Sequence, residues 1–192
     1  MPKNIIGIGG TNGSGKDSLS EFLRDDLGWL FVSASGDLII PELKARGESL
    51  ERPQMAALTT QWRKQLGMGA VVDKAYEQFQ AQGGLGKYKG LVISSLRHPG
   101  EADRLHELGG QVVWVDADPR VRYDRIYNRG QGDKDKKTFE QFLAEEQAEA
   151  SHTGHNATLN TSAVKDRADI FVYNDSNDLE VFKSVAKKAL HL

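Results

Sequence analysis

Three glycines and a lysine near the start of the chain have the types and spacing to hold a phosphate group. Gly10, Gly13, Gly15 and Lys16 fit the pattern of a glycine, four further residues and then Gly-Lys. Glycines let the backbone approach an anion closely, so that successive N–H groups converge on it. The lysine can then reach the β and γ phosphates of a nucleotide. The predicted nucleotide-binding residues here are Gly10, Asn12, Gly13, Ser14, Gly15, Lys16, Asp17 and Ser18.

A magnesium ion normally accompanies such a loop, and here its ligands are unusual. Asp17 follows the lysine, where a Ser or Thr is usual. Its carboxylate could bind Mg²⁺ directly or through water, with Ser18 as an alternative hydroxyl. The predicted third strand ends in Ser94 without an acid, so Asp37, after the second strand, is the candidate for the missing carboxylate. An equally good interpretation of Asp37 is a helix N-cap.

Basic residues further along could surround a transferred phosphoryl group. Arg122, Arg125 and Arg129 are spaced to share one helix face, next to a polar, glycine-containing stretch at 130–137 that predicts a mobile loop. We interpret about 122–145 as a lid, although a solvated arginine face is the alternative. Lys16, Asp37, Arg125 and Arg129 are therefore the predicted catalytic residues.

Two other arginines are candidates for binding the phosphate of an acceptor substrate. Arg97 directly follows the third predicted strand, and Arg63 lies in a central helical segment. A guanidinium matches a phosphate bidentately. The alternative for both is an ordinary surface arginine, which is the weaker interpretation for Arg97 because of its place at the end of a strand.

The elements that must position these residues alternate along the chain. Short apolar segments predict five strands, and the segments between them have helical spacing. From residue 38 to 82 no strand is apparent, so this stretch is expected to form a helical insertion. The pattern predicts a three-layer α/β fold, with a five-stranded parallel sheet covered by helices on both faces. Ligands should bind beyond the carboxyl ends of the strands.

Composition limits the remaining possibilities. The 192 residues suit a single domain over 1–192. A net charge of −2 gives no sign of a general affinity for nucleic acid or membranes. The chain has no cysteine and no apolar run near the ~20 residues of a membrane span. We therefore expect a cytoplasmic protein, monomer or homodimer, with a small-molecule substrate and with ATP and Mg²⁺ as cofactors.

Taken together, the motifs resemble the P-loop kinases of the nucleoside monophosphate kinase-like group, nearest to dephospho-CoA kinase and adenylate kinase-like proteins. The segments that carry this resemblance are GIGGTNGSGKDSLSEFL, SASGDLI, LVISSLRHPGEADRL, VDADPRVRYDRIYNRG and RADIFVYND. The Gly-Lys-Asp loop is similar to that of phage-type deoxynucleoside monophosphate kinases and of one phosphomevalonate kinase family.

The resemblance implies a P-loop NTPase fold and a role for each part. Lys16 would hold the donor phosphates, and Asn174 would lie near the donor base. Asp37 and Arg97 would face the acceptor, with residues 38–82 as the acceptor-binding region. The leading hypothesis is ATP-dependent phosphorylation of a nucleoside monophosphate or a dephospho-CoA-like acceptor. The alternative is a nucleotide-binding protein or slow NTPase that acts as an interaction module.

Overall fold

The computed structural model describes residues 4–129, 138–150 and 157–192, and side chains at 129 and 148–150 are not described. The strands are β1 (Ile5–Gly10), β2 (Leu30–Ser33), β3 (Leu91–Ser94), β4 (Gln111–Asp116) and β5 (Ile170–Tyr173). The helices are α1 (Lys16–Asp25), α2 (Ile40–Ala45), α3 (Arg52–Leu66), α4 (Ala70–Ala81), α5 (Pro99–Glu107), α6 (Pro119–Arg129), α7 (Phe139–Ala150), α8 (Thr161–Lys165) and α9 (Leu179–Leu190). A π-helical turn spans Ala34–Ile39, and a 3₁₀ turn spans Gly84–Gly86.

The five strands form one parallel sheet in the order β2-β3-β1-β4-β5. The predicted α/β fold with a five-stranded parallel sheet is therefore confirmed. The register pairs Ile8 with Ser94, Ser33 with Ser94, and Gly10 with Val115. The carboxyl ends of β2, β3, β1 and β4 consequently meet at one edge of the sheet.

Helices cover both faces because successive strand residues point to opposite sides. Ile6 and Ile8 pack with α1 and α9 on one face. Leu91 and Ile93 of β3 pack with α4, α5 and α8 on the other face. Both faces of the sheet are therefore buried, and that is why the strands contain little except apolar residues.

The stretch from 38 to 82 is helical, as its spacing predicts. Leu43 of α2 together with Leu58 and Trp62 of α3 forms a separate apolar cluster, which also includes the start of α4. Pro53 lies in the first turn of α3, a position where its missing N–H costs no hydrogen bond. These helices stand beside the carboxyl edge of the sheet, at the end of β2.

None of the helices in the described ranges is long and apolar enough to cross a membrane.

Candidate active site

The glycines of the phosphate loop are required by its backbone and its neighbours. Gly13 and Gly15 have φ angles of 79° and 94°, in the left-handed region that other residues avoid. A β-carbon at Gly13 would lie 2.7 Å from the Arg122 carbonyl oxygen, and one at Gly15 would lie 2.4 Å from Nδ2 of Asn174. The loop between β1 and α1 is thus enclosed from behind by α6 and by the end of β5.

Two side chains from the sheet hold this loop in place. The Thr11 hydroxyl donates to Oδ1 of Asp116 at 2.7 Å. Asn174 donates from Nδ2 to the Ser14 carbonyl oxygen at 2.9 Å. Asp116 was not among the predicted site residues, although an acid at the end of β4 beside the loop is a signal that sequence reasoning could have used. Both contacts fix the loop independently of any ligand, which is the preorganisation that an anion site needs.

Lys16 and the start of α1 supply the positive charge. Lys16 is the first residue of α1, whose N-cap is Gly15. Its Nζ donates to the Thr11 carbonyl oxygen at 3.4 Å, so the side chain folds back over the loop. The first-turn N–H groups of a helix add donors and a partial positive charge at the same point. This donor set fits a polyphosphate.

Asp17 lies directly beside the end of β3. The Ser94 hydroxyl donates to Oδ1 of Asp17 at 3.0 Å, and Ser94 Oγ lies 3.3 Å from Ser95 Oγ. Ser94 is buried, whereas Asp17 is exposed. Since Mg²⁺ prefers hard oxygen ligands and keeps several waters, a carboxylate and a hydroxyl at this place fit the ion. Ser18 follows on α1 and is half-buried.

A cavity of about 330 Å³ opens beside the phosphate loop. Its walls include the loop residues Gly10, Thr11 and Asn12, together with Trp114 and Phe142. The charged side chains that line it are Lys16, Arg52, Arg97, Glu145, Glu146 and Lys165. Four cations against two carboxylates favour an anionic occupant.

Arg97 is presented to this cavity by a strained turn. Ser95 has a φ of 70°, a conformation that costs a non-glycine residue about 1–3 kcal/mol. The Arg97 N–H donates to Oε2 of Glu101 at 2.8 Å, and its carbonyl accepts from the Asn160 N–H at 2.8 Å. The guanidinium has no hydrogen-bond or ion-pair partner among the residues that the structure describes, and it is exposed. The backbone of Arg97 is fixed while its charge faces the cavity.

Arg63, in contrast, is not brought to the cavity. Its side chain is 2% exposed and donates from Nη2 to Oε1 of Glu101 at 2.6 Å. Nη1 donates to the Ala157 carbonyl oxygen at 3.1 Å. The expectation that Arg63 binds an acceptor phosphate is corrected by this burial, because a solute cannot reach the guanidinium. Arg63 instead ties α3 to the turn that carries Arg97.

Asp37 lies in the π-helical turn after β2, and it does not line the cavity. Its Oδ2 accepts from the Ser33 N–H at 2.7 Å, while the Ser33 hydroxyl accepts from the Gly36 N–H at 3.1 Å. The N-cap of the turn is therefore Ser33, and Asp37 completes the cap from inside it. Asp37 is exposed at the carboxyl edge of the sheet, one strand away from Ser94.

The arginines of α6 have different surroundings. Arg122 is buried, pairs with Glu146 of α7 and donates to the Ala117 carbonyl oxygen at 2.8 Å. Arg125 donates to the Ser176 carbonyl oxygen at 2.6 Å and reaches the Gly13 carbonyl oxygen at 3.4 Å. Burial lowers the pKa of the Arg125 guanidinium, and the nearby charge of Asp175 opposes this only in part. Arg125 thus holds a partly desolvated charge at the phosphate loop.

Two parts of the predicted lid lie outside the described residues. They are the side chain of Arg129 and the loop at 130–137. Asn174, expected near the donor base, is buried behind the loop at the end of β5. Its amide is engaged by Ser14 and lies 3.4 Å from Arg125, so in this arrangement it supports the loop.

The chain is similar to known proteins in sequence and in fold. The family model described as an AAA domain matches residues 6–152. A UPF0200 protein of Pyrococcus abyssi is 31% identical over 149 residues, which are 76% of this chain and 77% of the relative. A shikimate kinase from Bacteroides thetaiotaomicron superposes with a TM-score of 0.58 at 14% identity, over 98% of each chain.

A gluconokinase from Sinorhizobium meliloti superposes with a TM-score of 0.51 at 16% identity, over 99% of this chain and 92% of that one. At these identities the two structures show the fold alone. The fold is that of P-loop kinases, and small-molecule kinases are among its structural neighbours.

Proposed function

The chain belongs to the AAA-domain family and to the UPF0200 proteins, and from this premise we propose that it is an ATP-dependent kinase of a small metabolite. The observation that carries the proposal is the cavity of about 330 Å³. The phosphate loop and Lys16 line one side of this cavity, and Arg97 lines the other side. A donor phosphate and an anionic acceptor bound there would be neighbours.

The loop and its supports would bind and orient the donor. Phosphoryl transfer asks a protein mainly for positioning and for positive charge around the moving group. Lys16 and the N–H groups at the start of α1 would hold the β and γ phosphates. Arg125, held at the Gly13 carbonyl, would add charge from the side of α6.

The ion would be held by Asp17, with the Ser94 hydroxyl beside it. When bound, Mg²⁺ neutralises phosphate charge during transfer. Asp37 does not line the cavity, so it would act only on an acceptor that extends from the cavity along the carboxyl edge of the sheet to the turn after β2. Its Oδ2 is used by the Ser33 N–H, and this leaves Oδ1 to receive a proton from an acceptor hydroxyl.

The acceptor would carry a phosphate group of its own, as a nucleoside monophosphate or dephospho-CoA does. Arg52 and Arg97 line the cavity together with Lys165, which lies 3.5 Å from Oδ2 of Asp116, the carboxylate that holds Thr11. An arginine binds phosphate bidentately, and a partly enclosed site strengthens that contact. These basic side chains favour a phosphorylated acceptor over a neutral sugar.

The test is a panel of nucleoside monophosphates and dephospho-CoA with MgATP, and ADP formation is followed by a coupled assay. We expect one acceptor to raise the rate of ADP formation well above the rate without acceptor. Lys16→Met should abolish that turnover while the circular dichroism spectrum and unfolding transition stay those of the wild type. A panel with no response, together with slow ADP formation, would favour the alternative of a slow NTPase or nucleotide-dependent interaction module. The aspartate in the usual Ser or Thr position of the loop is the observation behind that alternative.

A further inference from the structure

Compared with common phosphate loops, the acid and the hydroxyl of the magnesium site stand at each other's positions in this chain. In common phosphate loops a Ser or Thr follows the lysine, and an acid from another strand completes the magnesium site. In this chain the residue after Lys16 is Asp17, and the residue at the end of β3 is Ser94. The Ser94 hydroxyl donates to Oδ1 of Asp17 at 3.0 Å. Each residue therefore has the chemical group expected of the other.

The fold explains why this pair meets although 77 residues separate its members. β3 lies beside β1, with Ser94 in register with Ile8. α1 starts directly after the loop and packs across the sheet, with Leu19 in the same apolar cluster as Val92 of β3. The first turn of α1 therefore stands at the carboxyl end of β3. Ser94 is only 1% exposed, so its hydroxyl is confined to the neighbourhood of Asp17 and Ser95.

We propose that Asp17 and Ser94 form a reversed magnesium dyad, in which the loop supplies the carboxylate and the strand supplies the hydroxyl. This inference rests on the proposed function, because the ion would arrive with the phosphates of ATP. The exchange keeps one carboxylate and one hydroxyl in the site, and so the ligand chemistry is conserved. Oδ2 of Asp17 has no hydrogen-bond partner among the described residues and remains for the ion. The hydroxyl of the dyad is that of Ser94, and Ser18 is not needed.

The reversal has a consequence that the usual arrangement lacks. The negative charge of Asp17 lies in the first turn of α1, where the helix N-terminus also attracts phosphate. Without metal, this carboxylate repels the phosphates of ATP. With metal, the same carboxylate becomes a ligand. Nucleotide affinity should therefore depend on Mg²⁺ more strongly than the loop alone would require.

ATP binding is measured by titration calorimetry in excess Mg²⁺ and in EDTA. The readout is the dissociation constant in EDTA divided by the dissociation constant in excess Mg²⁺. Asp17→Ser leaves the site with two hydroxyls and no carboxylate, so it should reduce this ratio by about tenfold or more, as the loss of a group that supports a metal does. Its affinity for ATP in EDTA should stay equal to the wild-type value or increase. The double variant D17S/S94D returns a carboxylate to the site from the strand side and should restore most of the ratio. Glu21→Ser, one turn further along α1 and exposed, is the matched control and should leave the ratio unchanged.

The results that would overturn the magnesium dyad differ from those that would overturn the proposed kinase function. A wild-type ratio in Asp17→Ser, or a folded double variant that behaves like Asp17→Ser, overturns the dyad. If the buried position of Ser94 does not accept an aspartate, Asp17→Asn decides instead, since it keeps the shape and removes the charge. ATP binding by the wild type that is insensitive to Mg²⁺ also overturns the dyad while leaving the phosphate loop intact. A wild type that binds no ATP in either medium overturns the proposed function itself.

Discussion

Breaking the buried ion pair of Arg63 and Glu101 should lower the free energy of unfolding, because it leaves one charge buried without the other. Nη2 of Arg63 and Oε1 of Glu101 are 2.6 Å apart, and both side chains are 2% exposed. Arg63→Met removes the cation and leaves the carboxylate of Glu101 buried without its partner. Breaking one side of such a pair costs about 3–5 kcal/mol. We expect Arg63→Met to lower the free energy of unfolding by this amount.

The second substitution provides the decisive comparison. Adding Glu101→Gln to Arg63→Met removes the stranded charge and keeps an amide oxygen that can accept from the N–H groups of Arg97 and His98. In the wild type these groups donate to Oε2 of Glu101 at 2.8 and 3.2 Å. The double variant should therefore be more stable than Arg63→Met by about 1–3 kcal/mol, which is the usual cost of an unsatisfied buried group.

Urea unfolding with linear extrapolation measures these differences, with tryptophan fluorescence as the signal. For a chain of this size, a loss of 3–5 kcal/mol corresponds to a fall in Tm of roughly 6–20 °C. Arg167→Met is the control, since Arg167 pairs with Asp103 at 2.6 Å while the two side chains are 37% and 55% exposed. Its cost should stay within about 1 kcal/mol. A loss below about 1 kcal/mol for Arg63→Met, or a double variant less stable than that single one, would refute the reasoning.

Two further substitutions test the supports of the site. Asn174→Ala leaves the Ser14 carbonyl without its donor, so it should cost about 1–3 kcal/mol of stability and weaken ATP binding measured by calorimetry. Unchanged ATP affinity would mean that the loop holds its shape without Asn174. Arg97→Met should raise the KM for the acceptor roughly tenfold or more, the loss expected for one charge-assisted contact. The dissociation constant of ATP should stay constant, and a change in it without a change in KM would place Arg97 on the donor side.

The strands and the phosphate loop could be predicted because their signals are local. Apolar runs bounded by turn residues mark β1 to β5, and the glycine spacing defines the loop between β1 and α1. The exact ends of the strands are not encoded in these runs: β2 begins at Leu30, although the apolar run already includes Trp29. Such ends depend on hydrogen bonds that no local pattern encodes.

The pairing of side chains at the site could not be predicted, because partners lie far apart in the chain. Arg63 and Arg97 have the same chemistry in the sequence, and Arg63 is structural because its buried guanidinium bonds Glu101 and the Ala157 carbonyl, 38 and 94 residues further along the chain. Thr11 and Asp116 are 105 residues apart, and they meet because β1 and β4 are neighbours in the sheet. Sheet order therefore decides which polar residues at strand ends become partners.

On helix α6, two arginines also differ in their surroundings although they have the same chemistry. Arg122 and Arg125 are one turn apart, and each lies 3.4 Å from a loop carbonyl oxygen, that of Asn12 or of Gly13. The carboxylate of Glu146 compensates the charge of Arg122. Among the residues that the structure describes, Arg125 has only amide and carbonyl acceptors, and burial lowers its pKa. Asp175 offsets the charge of Arg125 only in part, so of these two arginines of α6 Arg125 holds the less compensated charge beside the loop.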